Sequence, residues 1–340
     1  MFNILAVAIG DSGNDRTITD WSNLNAPHPV RPYIPGLMQG LAKLGRKIGA
    51  AADYIICYRE RAEGNLPSAF VPPAGVTFHT FFCMSTTVAR VAEPVAVAAQ
   101  PMIPVVGIVS DPADEGFAAS GNVCGISARR HQTAGDCLDR FVETVPTITT
   151  VYVMHKHGYG PSESALARIK ARGARRTITV TELLPDPTHP DIGITNAASL
   201  VSALANLPQR NTANQPTVGL LVLPIDVCFA NAATIINTAQ GAPYNVPVFF
   251  PTPDWVKPTM PGSALGGYGV SQRTCGELLA ERVDYALWQH AGQLPAPLPL
   301  PRFIDAPDAS FEWWASSAAA APVAANGLNI TLGTNTPILS

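Results

Sequence analysis

The chain has 340 residues, 47% of them hydrophobic and only 14% charged, with a formal net charge of -3. So apolar a composition excludes an intrinsically disordered chain, and the lack of a basic stripe argues against a nucleic-acid partner. The length predicts two domains, each with a sizeable core.

Residues 3–9 read as a first core strand, followed by a long polar loop from Gly10 to His28. A helix is predicted over residues 32–45, with Leu37, Leu41 and Leu44 on one face. Residues 51–58 and 76–83 are the next strands. The second ends in Met84-Ser85-Thr86-Thr87, which would cap a helix carrying Val88, Val91 and Ala92. Residues 105–109 form a fourth, β-branched strand that stops at Ser110-Asp111-Pro112, and residues 121–127 read as a crossing segment.

The same grammar recurs in the second half. Helices near 133–145, 162–172, 197–207 and 230–239 alternate with strands near 150–154, 177–181, 219–223 and 246–250. Alternation of this kind predicts parallel sheets joined by right-handed crossovers. A helix over 272–291 precedes a proline-rich passage, and the alanine run 318–325 reads as a tightly packed helical turn. Arg168, Lys170, Arg172, Arg175 and Arg176 are read as the solvated end of a crossover helix.

Six cysteines show no CxxC spacing and no zinc-type Cys/His cluster, so no metal or cofactor is called for; most sit in apolar surroundings that suit buried free thiols, while the even count also permits disulfides in an oxidising compartment. No apolar run reaches the roughly 18 residues of a membrane span, so membrane insertion is not expected. Residues 1–10 lack a basic n-region and a cleavage site. The chain is therefore expected to be either cytoplasmic or one whose leader has been removed.

In sheets of this kind ligands bind beyond the carboxyl ends of the strands. That rule selects the candidate binding residues. Asp11 and Ser12 lie in the first loop. Ser85, Thr86 and Thr87 supply hydroxyls and free N–H groups at a helix start, where carboxylates and phosphates are received, or act as plain caps. Ser110 and Asp111 end one strand and Asp226 follows another; a carboxylate there suits a ligand ammonium group. For Asp111 the alternative is a turn before Pro112, and for Asp226 a helix cap. His155 and His157 sit two apart after a strand, with no third metal ligand evident nearby. Thr252 lies in the passage Phe249–Trp255, whose Trp255 either stacks on a ligand ring or packs at a hinge. Tyr268 stands between Gly267 and Gly269, which permits close backbone approach to a ligand.

Gly10-Asp11-Ser12-Gly13-Asn14-Asp15 also invites enzyme readings. It resembles the fourth motif of haloacid-dehalogenase-type phosphatases, but only nine residues precede it, too few for that family's nucleophile motif. It resembles the serine block of SGNH esterases, with Ser12 as nucleophile, but no late Asp-x-x-His follows. A chymotrypsin-like reading fails on position and fold. A polar loop at a strand end is favoured, and no enzyme is expected.

Taken in order, several segments resemble the ABC-transporter substrate-binding proteins of the tryptophan/tyrosine-binding type. They are Gly36-Leu37-Met38-Gln39-Gly40-Leu41-Ala42-Lys43-Leu44-Gly45, the strand end Ile108-Val109-Ser110-Asp111-Pro112 with Gly121-Asn122-Val123-Cys124-Gly125-Ile126-Ser127, then Gly267-Tyr268-Gly269-Val270, Gly292-Gln293-Leu294-Pro295 and Asn326-Gly327-Leu328-Asn329-Ile330. The likeness spans most of the chain from Gly36 onward, and the first loop is longer than the family leads one to expect.

The resemblance implies an α/β fold of two Rossmann-like lobes with parallel sheets and a hinge, the type I periplasmic-binding-protein architecture. The lobes expected are residues 1–126 with about 251–300, and 127–250 with about 301–340. Crossings near Ser127, Phe250 and Pro301 would form the hinge. It further implies capture of a small molecule, an amino acid or a related and perhaps aromatic compound, in the interlobe cleft by hinge closure. The partner would be an ABC permease and the location the periplasm. Two alternatives stay open at this point: a cytoplasmic sensor or regulatory module of the same fold, and a hydrolase using the Asp11–Asp15 loop.

Overall fold

The computed structural model describes residues 1–10, 14–25, 29–49, 51–110, 112–113, 115–117, 122–209, 216–256, 263–292, 302–320 and 330–339. Along the chain, β1 (Phe2–Ile9), β2 (Arg16–Ile18), α1 (Tyr33–Lys43), β3 (Tyr54–Arg61), β4 (Thr80–Cys83), α2 (Thr86–Ala98), β5 (Val105–Val109) and β6 (Val123–Ser127) come first. Next are α3 (Ala134–Thr144), β7 (Thr150–Met154), α4 (Gly160–Arg175), β8 (Thr179–Glu182), α5 (Ala197–Ala205), β9 (Val218–Val222), α6 (Asp226–Ala230), α7 (Ala232–Gln240) and β10 (Val248–Phe250). The chain closes with β11 (Gly266–Gly269), α8 (Gln272–Leu278), α9 (Ala280–His290), β12 (Phe303–Asp305), β13 (Glu312–Ala315) and α10 (Ser317–Ala320).

Two sheets result. The first has the order β12-β6-β5-β4-β1-β3-β2 and the second β13-β11-β10-β9-β7-β8. Pairing is parallel throughout except where β2 meets β3 and β13 meets β11. Both sheets follow one plan. The founding strand β1 lies between β3 and β4, and β7 between β8 and β9. The strand order therefore reverses at β1/β4 and at β7/β9, and such reversals are where open α/β sheets leave a crevice. One main-chain bond closes each reversal: Met84 N donates to Val7 O at 3.1 Å, and Leu223 N to Met154 O at 2.9 Å.

Strand alternation sets the cores. In β7, Val151 and Val153 face a cluster with Leu138, Phe141, Ile169 and Leu221. Met154 turns to the opposite cluster, with Leu200, Leu220, Ile235 and Phe250. The first sheet packs Leu5, Val7, Phe81, Val88, Val105 and Val109 together. Each of these side chains contributes about 1.5–3 kcal/mol by leaving water.

The chain divides into two compact units, Met1–Ala128 with Gln272–Pro307, and Arg129–Ser271 with Asp308–Ser340. Residues 251–271, expected with the first lobe, lie in the second unit. The reason is β11, which pairs with β10 and β13 and so holds this passage to the second sheet. The returns accordingly fall after Ser271 and Pro307, not near Phe250 and Pro301.

Other expectations also shift. Residues 123–127 form a buried central strand, β6, between β5 and β12. The long first loop contains β2, and the helix predicted over 272–291 is two helices meeting at Leu279. Residues 76–79 precede β4 instead of belonging to it. The basic cluster of α4 is not merely solvated: Arg172 pairs with Asp136 and Asp139, and Arg176 with Asp139 and Glu143, all from α3. Within the alanine run the described part is the end of α10, and the rest lies outside the described residues.

All six cysteines are thiols outside any disulfide. Burial raises the pKa of Cys83, Cys137 and Cys228, and pushes Cys124 up to about 11. No described helix is long and apolar enough to cross a membrane.

Candidate functional site

In the first unit the candidate residues gather beyond the carboxyl ends of β4 and β5. Ser85 is the N-cap of α2, its backbone extended and its Oγ accepting from Val88 N at 3.3 Å. Thr86 is buried; its Oγ1 accepts from Ser110 N at 2.9 Å and lies 3.4 Å from Ser110 Oγ. Ser127 Oγ donates to Ser110 O at 3.0 Å, tying the end of β6 to the same point. The structure thus brings Thr86 and Ser110 together, and gives the hydroxyls of Ser85 and Thr86 internal work. Thr87 is half-buried on the first turn of α2. Asp11, Ser12 and Asp111 lie outside the described residues.

Sequence reasoning missed a charged group at the ends of β1 and β3. Arg31 Nη2 donates to Ile9 O at 2.9 Å and to Glu60 Oε1 at 2.6 Å, and Tyr58 OH reaches Glu60 Oε2 at 3.4 Å. A Cβ at Gly10 would fall 2.0 Å from Glu60 Oε1, so glycine there makes room for this carboxylate. Asn14 is buried nearby in sequence, with Oδ1 accepting from Arg16 Nε at 3.1 Å. The one signal available was the charged triplet Arg59-Glu60-Arg61 closing an apolar strand.

In the second unit the candidates follow β7, β9, β10 and β11. His155 is buried and its Nε2 lies 2.9 Å from Glu182 Oε2, while Lys170 Nζ holds Glu182 Oε1 at 2.5 Å. Burial would raise the Glu182 pKa, but the hydrogen bonds from Lys170 and His155 outweigh it and hold the carboxyl below its usual range. His157 points elsewhere, to Glu163 at 3.2 Å, so the two histidines do not converge. No three His, Cys, Asp or Glu side chains among the described residues are placed to hold a metal ion.

Asp226 is the half-buried first residue of α6, immediately after β9. Thr252 is fully buried; its Oγ1 bonds Asp254 and donates to Val270 O at 3.3 Å. Trp255 packs on Phe229 and Phe250, each ring 4.7 Å away. Tyr268 lies 5.7 Å from Phe311 and under the guanidinium of Arg140, and burial raises its pKa. Its flanking glycines serve the protein's own backbone. A Cβ at Gly267 would fall 2.3 Å from Thr252 O, and at Gly269, where φ is +152°, 2.3 Å from Pro251 O.

Arg130 and His131, which sequence reasoning passed over, are both buried here. Arg130 Nη2 donates to Val270 O at 3.1 Å, and its guanidinium lies 5.6 Å from the Phe229 ring. Beside β8, a cavity of about 430 Å³ is lined by Tyr152, Thr181, Glu182, Leu184, Pro187 and Asn206. Glu182 therefore faces both His155 and this cavity.

No family model matches the sequence, and no curated protein matches it. Solved structures do. A conserved domain protein from Vibrio cholerae O1 biovar El Tor aligns over 98% of this chain and 97% of its own, with a TM-score of 0.64 at 17% identity. An ABC domain from Streptococcus pneumoniae, in complex with L-Trp, aligns over 99% of this chain and 100% of its own, at 0.63 and 13%. A ligand-free, open substrate-binding protein with adhesive properties from Clostridium difficile aligns over 100% and 99%, at 0.53 and 15%. The chain has the type I periplasmic-binding-protein fold. At these identities the likeness concerns architecture. The fold resemblance drawn from the sequence holds, and two of these three neighbours are described by their binding.

Proposed function

We propose that this chain is a solute-binding protein that captures an amino acid or a related small molecule with an aromatic side chain, for delivery to an ABC importer. One observation carries the reading: the end-to-end correspondence with a substrate-binding protein and with an ABC domain solved in complex with L-Trp. The residues placed beyond the strand ends support it. Thr86, Thr87 and Ser110 offer a polar surround in the first unit, and Asp226 a carboxylate for an ammonium group in the second. His155, Thr252 and Tyr268 belong to the same proposal as residues lining or supporting the site, while Asp11, Ser12 and Asp111 lie outside the described residues. Capture would proceed by hinge closure on the solute. Delivery to a permease places the protein in the periplasm, and no turnover is proposed.

Isothermal titration with L-tryptophan tests this directly, with tyrosine and phenylalanine as companions. Saturable binding accompanied by a smaller radius of gyration in solution scattering is the expected result. Asp226→Ala should weaken that binding by at least about tenfold, the worth of a charge-assisted hydrogen bond. Unchanged affinity would remove Asp226 from the site, and no binding across the panel would remove the amino-acid reading.

A further inference from the structure

His131 is 3% exposed, and neither of its ring nitrogens has a hydrogen-bond partner among the described residues. A neutral imidazole carries one N–H and one lone pair, and an ion carries two N–H groups. Whichever form is adopted, a donor stands without an acceptor inside the protein. Native folds leave few such groups, and each asks for an explanation, because an unmade buried bond costs about 1–3 kcal/mol.

The surroundings suggest what would complete it. The His131 ring meets the edge of Tyr159, centroids 5.9 Å apart at 73°. Tyr159 is the N-cap of α4, a helix of 16 residues, and makes no side-chain cap bond there. That helix starts just beyond the carboxyl end of β7, at the reversal of strand order. A helix N-terminus carries positive potential and unpaired N–H groups. Lys156 Nζ lies 5.9 Å from the Tyr159 ring, and Arg168 Nη1 donates to Gln132 O, the residue after His131. Burial first, then Arg130 and Arg168, lower the His131 pKa to about 3, so the ring is neutral at pH 7. The positive charges of Arg130 and Arg168, the lesser causes of that shift, also favour an anion next to the ring.

We propose that His131 is a specificity-determining contact of the second unit, donating its ring N–H to a carboxylate oxygen of the solute at the N-terminal end of α4. The inference rests on the solute-binding reading above. It moves carboxylate recognition away from Ser85 and Thr86, whose hydroxyls are already engaged within the first unit.

The test compares L-tryptophan, L-tryptophanamide and tryptamine by titration calorimetry on the wild type, His131→Phe and His131→Asn, with a melting temperature for each protein. Wild type should prefer the acid over the amide by at least about tenfold, as expected for a hydrogen bond to a charged group. His131→Phe should lose that preference while melting at or above the wild-type temperature, because an apolar ring leaves no donor unmade. His131→Asn, which retains an N–H donor, should recover part of it. Retained discrimination in His131→Phe overturns the inference and leaves the solute reading intact. A lowered melting temperature in both variants overturns it as well, since His131 would then serve the fold through a buried water. If wild type binds none of the three compounds, the solute reading fails and the inference fails with it.

Discussion

The amide of Ser110 donates to Thr86 Oγ1 at 2.9 Å, joining the end of β5 to the first residue of α2. Thr86 is buried, and the same hydroxyl lies 3.4 Å from Ser110 Oγ. Thr86→Val keeps the shape and strands the Ser110 amide. It should cost about 1–2 kcal/mol in urea unfolding, whereas Thr86→Ser should cost less because the acceptor stays. Equal stability of the valine variant would show that the Ser110 amide finds water instead.

Two helices of the first unit approach as closely as backbones permit. A Cβ at Gly276 of α8 would fall 2.1 Å from Tyr33 O, and one at Gly36 of α1 would fall 1.9 Å from Arg273 O. Neither neighbour is a flexible side-chain end that can step aside. Gly276→Ala should therefore lose about 2 kcal/mol or more, despite alanine's better helix propensity. Gly64→Ala, where nothing lies within 4 Å of the added carbon, is the control and should be near neutral in the same denaturation series.

Acid should destabilise the protein through two groups whose ranges begin at different pH. The folded-state pKa of His131 lies at about 3, below the ordinary histidine value of 6.5. Between those values the unfolded chain binds a proton that the folded chain does not. Its contribution is thus complete above about 6.5 and is lost as pH falls toward 3, at a limiting slope of about 1.4 kcal/mol per pH unit. The Glu182 carboxyl, also held below the ordinary glutamate value of 4.5, contributes above that value and is lost only below it. That second contribution is about 1 kcal/mol at most, since the ion pair is partly open to solvent. Melting temperatures from pH 8 to pH 4 should fall more steeply for wild type than for His131→Phe. Parallel curves would mean that His131 titrates normally.

Thiol reactivity should follow burial. Cys83, Cys137, Cys228 and Cys275 are buried, and Cys57 and Cys124 are partly exposed. Titration with a disulfide reagent should label the native protein slowly, because thiolates are the reactive species and burial disfavours them. All six should react at once in guanidinium. Rapid labelling of the native protein at Cys137 or Cys228 would contradict the packing of the second unit.

The sequence by itself determined the alternation of strands and helices, the two-sheet α/β plan and the strand ends where polar residues collect. Runs such as residues 105–109 and 219–223 carry that information locally, because a strand buried on both faces must be apolar along its whole length. The tertiary structure decided what local pattern does not encode. β2, β12 and β13 are short edge strands whose pairing depends on remote partners, and β11 is a glycine-rich strand chosen for close backbone approach instead of hydrophobicity. That is why residues 251–271 group with the second unit. The site divided in the same way. Ser110, Thr86 and Asp226 are legible as candidates from their places after strands, but Glu60 and His131 are not. A charged residue in a strand and a histidine in a loop acquire meaning only when folding removes water from them and sets their partners.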